Sequence, residues 1–159
     1  MTPKTLLHSP EATTAFAARL AAKLTPGDIV LLEGPLGSGK SHFARSVIHA
    51  LQAAAGQPPE DVPSPTFTLV QTYVAGTTEI WHADLYRLSS PDEVFELGLE
   101  DAWQTAICLI EWPDRLGDAA PDGAVTLTFA HTDDDDTRTL VITGADGALR
   151  TKIEDALDD

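Results

Sequence analysis

Apolar positions along the chain change period from segment to segment. Phe16, Leu20 and Leu24 recur at helical spacing. They follow Ser9-Pro10-Glu11, with Ser suited to the N-cap, Pro to the first helical position and Glu to the positive dipole end. Thr25-Pro26-Gly27-Asp28 predicts a turn. Ile29-Val30-Leu31-Leu32 and Ala106 to Ile110 are short, unbroken apolar runs. Such runs fit strands buried on both faces, as in a parallel sheet. Phe43, Val47, Ile48 and Leu51 mark the inner face of a helix from about Lys40 to Ala55, ended by Gly56.

Residues 57–65 are proline-rich and irregular. The pattern then predicts a hairpin, with one strand over 66–74, a turn at Ala75-Gly76-Thr77 and a second strand over 78–83. Ser90-Pro91-Asp92-Glu93 reads as a capping box opening a short helix that Gly98 interrupts. Val125, Leu127 and Phe129 alternate with threonines as an amphipathic strand, and residues 138–143 read as its hairpin partner. Leu149, Ile153 and Ala156 mark a last helix. No repeat or internal linker stands out, so one domain over residues 1–159 is expected. Helices between buried strands, plus hairpins, predict an α/β sandwich with a central mixed sheet.

Charge narrows the partners. Ten basic against 25 acidic residues give a net charge of −15. General electrostatics then opposes tight binding of a nucleic-acid backbone or an anionic membrane. The single Cys, Cys108, allows no intrachain disulfide. The first residues lack a basic region followed by an apolar run, and no stretch approaches a bilayer span. A cytoplasmic protein is expected.

The sharpest chemical signal is Gly34-Pro35-Leu36-Gly37-Ser38-Gly39-Lys40-Ser41, which fits G-x-x-x-x-G-K-[ST] at every fixed position. A buried strand is predicted before it and an amphipathic helix after it, as a phosphate-binding loop requires. Glycines let successive backbone N–H groups point at phosphate oxygens, and the helix adds its positive end. Lys40 would reach the β- and γ-phosphates, and the Ser41 hydroxyl would ligate Mg²⁺. Two acids end predicted strands, Asp84 and Glu111. One could hold the metal while the other orients a water, and spacing does not say which. Thr66, in Ser64-Pro65-Thr66, is a candidate sensor of the γ-phosphate; an ordinary capped turn explains it equally well.

Other residues carry weaker signals. His82 shares a strand with Asp84, and a packing histidine is its plainer reading. Arg87 and Arg115 suit phosphate neutralisation or ordinary ion pairs, and Trp112 suits a site cover or a packing role. Asp133 to Asp136 reads as a solvated hairpin tip. Thr151-Lys152-Ile153-Glu154 departs from the guanine-reading motif at its last position and lies in a helix, so GTP is not supported.

Four blocks together resemble the TsaE (YjeE) family. They are the phosphate-binding loop, Ser64-Pro65-Thr66-Phe67-Thr68-Leu69-Val70, His82-Ala83-Asp84-Leu85-Tyr86-Arg87-Leu88 and Ile107-Cys108-Leu109-Ile110-Glu111-Trp112-Pro113. The resemblance runs from about Leu7 to Leu149. It departs from the family at Pro35, usually acidic, and at Ser41, usually Thr. It implies a P-loop ATPase of tRNA threonylcarbamoyladenosine modification, using ATP and Mg²⁺. It implies Ser41 and Glu111 as the Mg²⁺ residues, Asp84 for hydrolysis, and nucleotide contacts near Ser9–Glu11 and Arg138. It also implies a TsaB–TsaD partner complex, reset between turnovers, and no tight direct contact with tRNA. A small-molecule kinase and a nucleotide-sensing adaptor are the competing readings. A kinase usually needs an Arg-rich lid, which this chain lacks.

Overall fold

A computed structural model describes residues 4–90 and 92–158. Its elements assemble on one seven-stranded mixed sheet. The parallel centre consists of β2 (Ile29–Glu33), β4 (Thr78–Asp84), β5 (Ile107–Glu111) and β6 (Val125–His131). Antiparallel strands extend it: β3 (Val70–Ala75) beside β4, β7 (Arg138–Gly144) beside β6, and β1 (Lys4–Leu7) beside β7. The expected mixed α/β sandwich is the architecture found.

The unbroken apolar runs are explained by burial on two sides. Val30, Leu32, Ile107 and Leu109 join one core with Phe16, Phe43, Val47, Ile48 and Ile153, from α1 (Pro10–Ala21), α2 (Lys40–Ala54) and α5 (Ala148–Asp158). Ile29, Leu31, Cys108 and Ile110 join the other. They meet Val94, Leu99 and Ala102 from α3 (Glu93–Leu97) and α4 (Leu99–Thr105). Neighbouring residues of a strand point to opposite faces, so both faces need apolar side chains. Phe43 packs between Phe16, which it stacks on, and Phe129, which is tilted to it, with centroids 5.5 and 5.7 Å apart. Truncating a buried phenylalanine of this kind costs about 3–5 kcal/mol.

Local signals mostly act as read. Ser9 is extended and its hydroxyl accepts the Ala12 N–H at 3.0 Å, starting α1. Gly98 adopts φ +82° between α3 and α4. Two expectations need correction. The strand predicted from Thr66 begins at Val70, because residues 66–69 form a turn. Leu69 takes φ +67°, and its N–H closes onto Pro65 O at 2.7 Å. The capping box is displaced: Glu93 accepts the Ser89 N–H, and the Ser90 hydroxyl accepts the Asp92 N–H. Pro91 lies outside the described residues. Three short elements carry no clear sequence signal: β1, α4 and a 3-10 helix over Pro113–Ala119.

Candidate functional site

The site grows from the carboxyl ends of β2, β4 and β5, where side-chain chemistry changes along one face. On β4 the row facing the α2 side runs Ile80, His82, Asp84; on β5 it runs Ile107, Leu109, Glu111. Asp84 and Glu111 sit directly opposite each other in register. They are only 5% and 2% exposed. On β2 the corresponding row ends in the glycine loop. Ligands of open α/β sheets bind beyond these strand ends.

The loop's geometry demands glycine. Gly34 has φ +141°, and a Cβ there would lie 2.4 Å from Phe129 O and 2.6 Å from Ser38 Oγ. Gly39, at φ +108°, opens α2 without a side-chain cap. The first N–H groups of α2 are thus left uncapped by any side chain, the arrangement that receives an anion. Ser38 is buried with its hydroxyl unpartnered, and Leu36 is largely exposed.

Lys40 is 4% exposed, donates to Gly34 O, and lies 3.7 Å over the Trp112 ring. Burial lowers its pKa below the ordinary lysine value, against the opposing pull of Glu111, Asp84 and Asp114. Ser41 Oγ donates to Glu111 Oε1 at 2.9 Å. The other carboxylate oxygen of Glu111 accepts from His82 Nε2 at 2.7 Å. Asp84 accepts from Thr66 Oγ1 at 3.1 Å, Ser64 Oγ at 3.3 Å and the Tyr86 N–H at 3.0 Å.

These groups surround a cleft of about 340 Å³, lined among others by Gly37, Gly39, Lys40, Ser41, Thr66, Asp84 and Glu111. Buried acids, a buried ammonium and free helix N–H groups together suit a phosphorylated ligand with a hard cation. No three His, Cys, Asp or Glu among the described residues are grouped to hold a metal unaided. Magnesium does not need such a cage, because it keeps waters and takes one or two carboxylates plus phosphate oxygens. The Ser41 and Glu111 oxygens fit that donor set.

The structure brings together most of the sequence candidates and rearranges some. Arg138 reaches the loop, donating to Gly37 O at 3.4 Å, and His42 at the start of α2 contacts Pro10 O at 3.1 Å. Arg87 lies 4.6 Å over the Phe67 ring, and neither Arg87 nor Arg115 lines the cleft. His82 is not simply packing, since it pairs with Glu111. A period-two reading of His82 and Asp84 places them on one face, but the contact with Glu111 follows from the pairing of β4 with β5. Ser64 as a second donor to Asp84 had no signal in spacing.

The profile of a family described as threonylcarbamoyl adenosine biosynthesis protein TsaE matches residues 7–140. The chain belongs to the TsaE family. A "tRNA threonylcarbamoyladenosine biosynthesis protein TsaE" from Rickettsia bellii is 42% identical over 83% of the chain and 89% of that protein. One from Rickettsia conorii is 46% identical over 69% of the chain and 61% of that protein. One from Bacillus subtilis is 33% identical over 80% and 77%. The crystal structure of B. subtilis YdiB superposes with a TM-score of 0.75 at 28% identity, covering 98% of this chain and 94% of that one. In this TsaE-family chain no helix among the described residues is long and apolar enough to cross a membrane.

Proposed function

We propose that this chain is a cytoplasmic P-loop ATPase of tRNA threonylcarbamoyladenosine biosynthesis. It acts on a TsaB–TsaD-like transferase complex, resetting it between turnovers, and makes no tight contact with tRNA itself. The observation that carries this reading is the convergence of Lys40, Ser41, Asp84 and Glu111 on one cleft at the strand ends. Family membership supplies the pathway.

Lys40 and the N-terminal N–H groups of α2 bind the β- and γ-phosphates. Ser41 and Glu111 would hold magnesium. The bound ion would supply neutralisation of the charge on the phosphate oxygens. Asp84 orients the attacking water. Its position is fixed by the Tyr86 N–H and by the Ser64 and Thr66 hydroxyls. Those same hydroxyls link residues 64–69 to the site, which supports reading Thr66 as a sensor of the γ-phosphate. Trp112 covers Lys40 and helps keep it from water.

The test is single-turnover hydrolysis of ATP, alone and with a TsaB–TsaD pair, combined with pull-downs in ATP, ADP or no nucleotide. Slow turnover in isolation and nucleotide-dependent association are expected. Full activity alone, or transfer of phosphate to a small-molecule acceptor, would revive the kinase reading.

A further inference from the structure

We infer that His82 is a positioning residue that fixes the Glu111 carboxylate for magnesium, an inference that rests on the nucleotide-site reading above. Glu111 has three side-chain torsions and would otherwise sample several orientations. Here its two oxygens have separate partners. Oε2 accepts from His82 Nε2 at 2.7 Å, and Oε1 lies 2.9 Å from the Ser41 hydroxyl. The imidazole therefore ties down one oxygen and leaves the other beside the second metal-binding group. His82 is itself held. It is 1% exposed, sits inside β4, and β4 is paired to β5 from Ile80 to Asp84.

Packing does not account for the imidazole. Its Nδ1 is buried without a hydrogen-bond partner, a cost that an apolar side chain of similar size would remove. What an apolar side chain would lose is the bond to Glu111. Residues that orient a metal ligand from behind typically govern metal affinity by roughly 10–100-fold.

The experiment compares His82→Leu, His82→Asn and His82→Gln with the wild type. Gln presents an N–H at about the reach of imidazole Nε2, whereas the Asn amide stops short. Magnesium is titrated into protein saturated with a non-hydrolysable ATP analogue and followed by intrinsic tryptophan fluorescence. Analogue affinity is measured separately in EDTA. Magnesium affinity should fall roughly 10–100-fold in the Leu and Asn variants and stay close to wild type in the Gln variant. Analogue affinity in EDTA should be unchanged in all three. If the Leu variant does not fold, the Asn and Gln pair decides the question alone. Unchanged magnesium affinity in the Asn variant, or a Gln variant as weak as it, overturns the positioning role. A wild type that binds the analogue without responding to magnesium overturns the metal-site reading instead.

Discussion

Strand β5 buries a titratable group near each end, and the two behave differently. Cys108, near the start, faces the core under α4, with its thiol near the carbonyls of Ala102 and Ala106 at 3.7 and 4.0 Å. Burial, helped by the charge of Glu79, pushes its pKa up to about 12. Glu111, three residues on, faces the opposite side and is equally inaccessible. It has the Ser41 hydroxyl on one oxygen and His82 on the other, with Lys40 nearby. The lesson is that burial alone makes a group inert, whereas burial among aimed partners makes a site. A buried charge needs such partners to exist at all.

Removing the cation from the partnered end should have the largest effect. On the proposed nucleotide site, Lys40→Ala would delete charge-assisted bonds to phosphate worth about 1.5–3 kcal/mol each. With two such bonds lost, ATP affinity should fall by roughly 10²-fold or more, as read by calorimetry. The fold should survive, because the buried ammonium is itself held in an environment that disfavours its charge. Unchanged ATP affinity would break the comparison at its strongest point.

The two acids should then separate. Asp84→Asn should cut turnover by about 10²–10⁴-fold, the usual scale of a proton-transfer or water-orienting group, with ATP still bound. Glu111→Gln should instead show its loss as a weak response to added magnesium. The readout is turnover against magnesium concentration at saturating ATP. Matching magnesium curves for the Glu111 variant and wild type would remove Glu111 from the metal site.

What the sequence revealed follows the same division. The glycine loop, the strand before it and the helix after it were legible, because each rests on local rules: an apolar run, a fixed motif and a helical period. The 66–69 turn was not. Thr66-Phe67-Thr68-Leu69 alternates like a strand, but Asp84 draws the hydroxyls of Ser64 and Thr66 to itself and Leu69 is turned to positive φ. Strand β1 is four residues long, and its pairing with β7 joins opposite ends of the chain. The role of His82 needed the register between β4 and β5, which spacing within one strand cannot supply. Asp84 and Glu111 were found as strand-ending acids, but their facing each other is a property of the sheet.

Cys108 leaves function untouched, and its effect on stability appears only at high pH. In the unfolded chain this thiol loses its proton near its ordinary value of 9, whereas the folded protein holds it to about 12. Between those values the folded state binds more protons than the unfolded state, so stability falls as pH rises. The contribution is fully present below pH 9 and is lost at up to about 1.4 kcal/mol per pH unit above it. Tyr73, whose pKa is raised first by burial and then by Glu60 and Asp61, pulls the same way in wild type and variant alike. Cys108→Ala isolates the thiol, because only its own slope disappears. Denaturant midpoints of the two proteins should run parallel from pH 7 to 9, then converge or cross as the wild type loses stability faster. ATP affinity at pH 8 should not move, since Cys108 faces away from the cleft. Parallel stability curves to pH 11 would show that the thiol titrates normally. The inert end of β5 would then be less sealed than its burial implies, and the contrast with Glu111 would rest on partners alone.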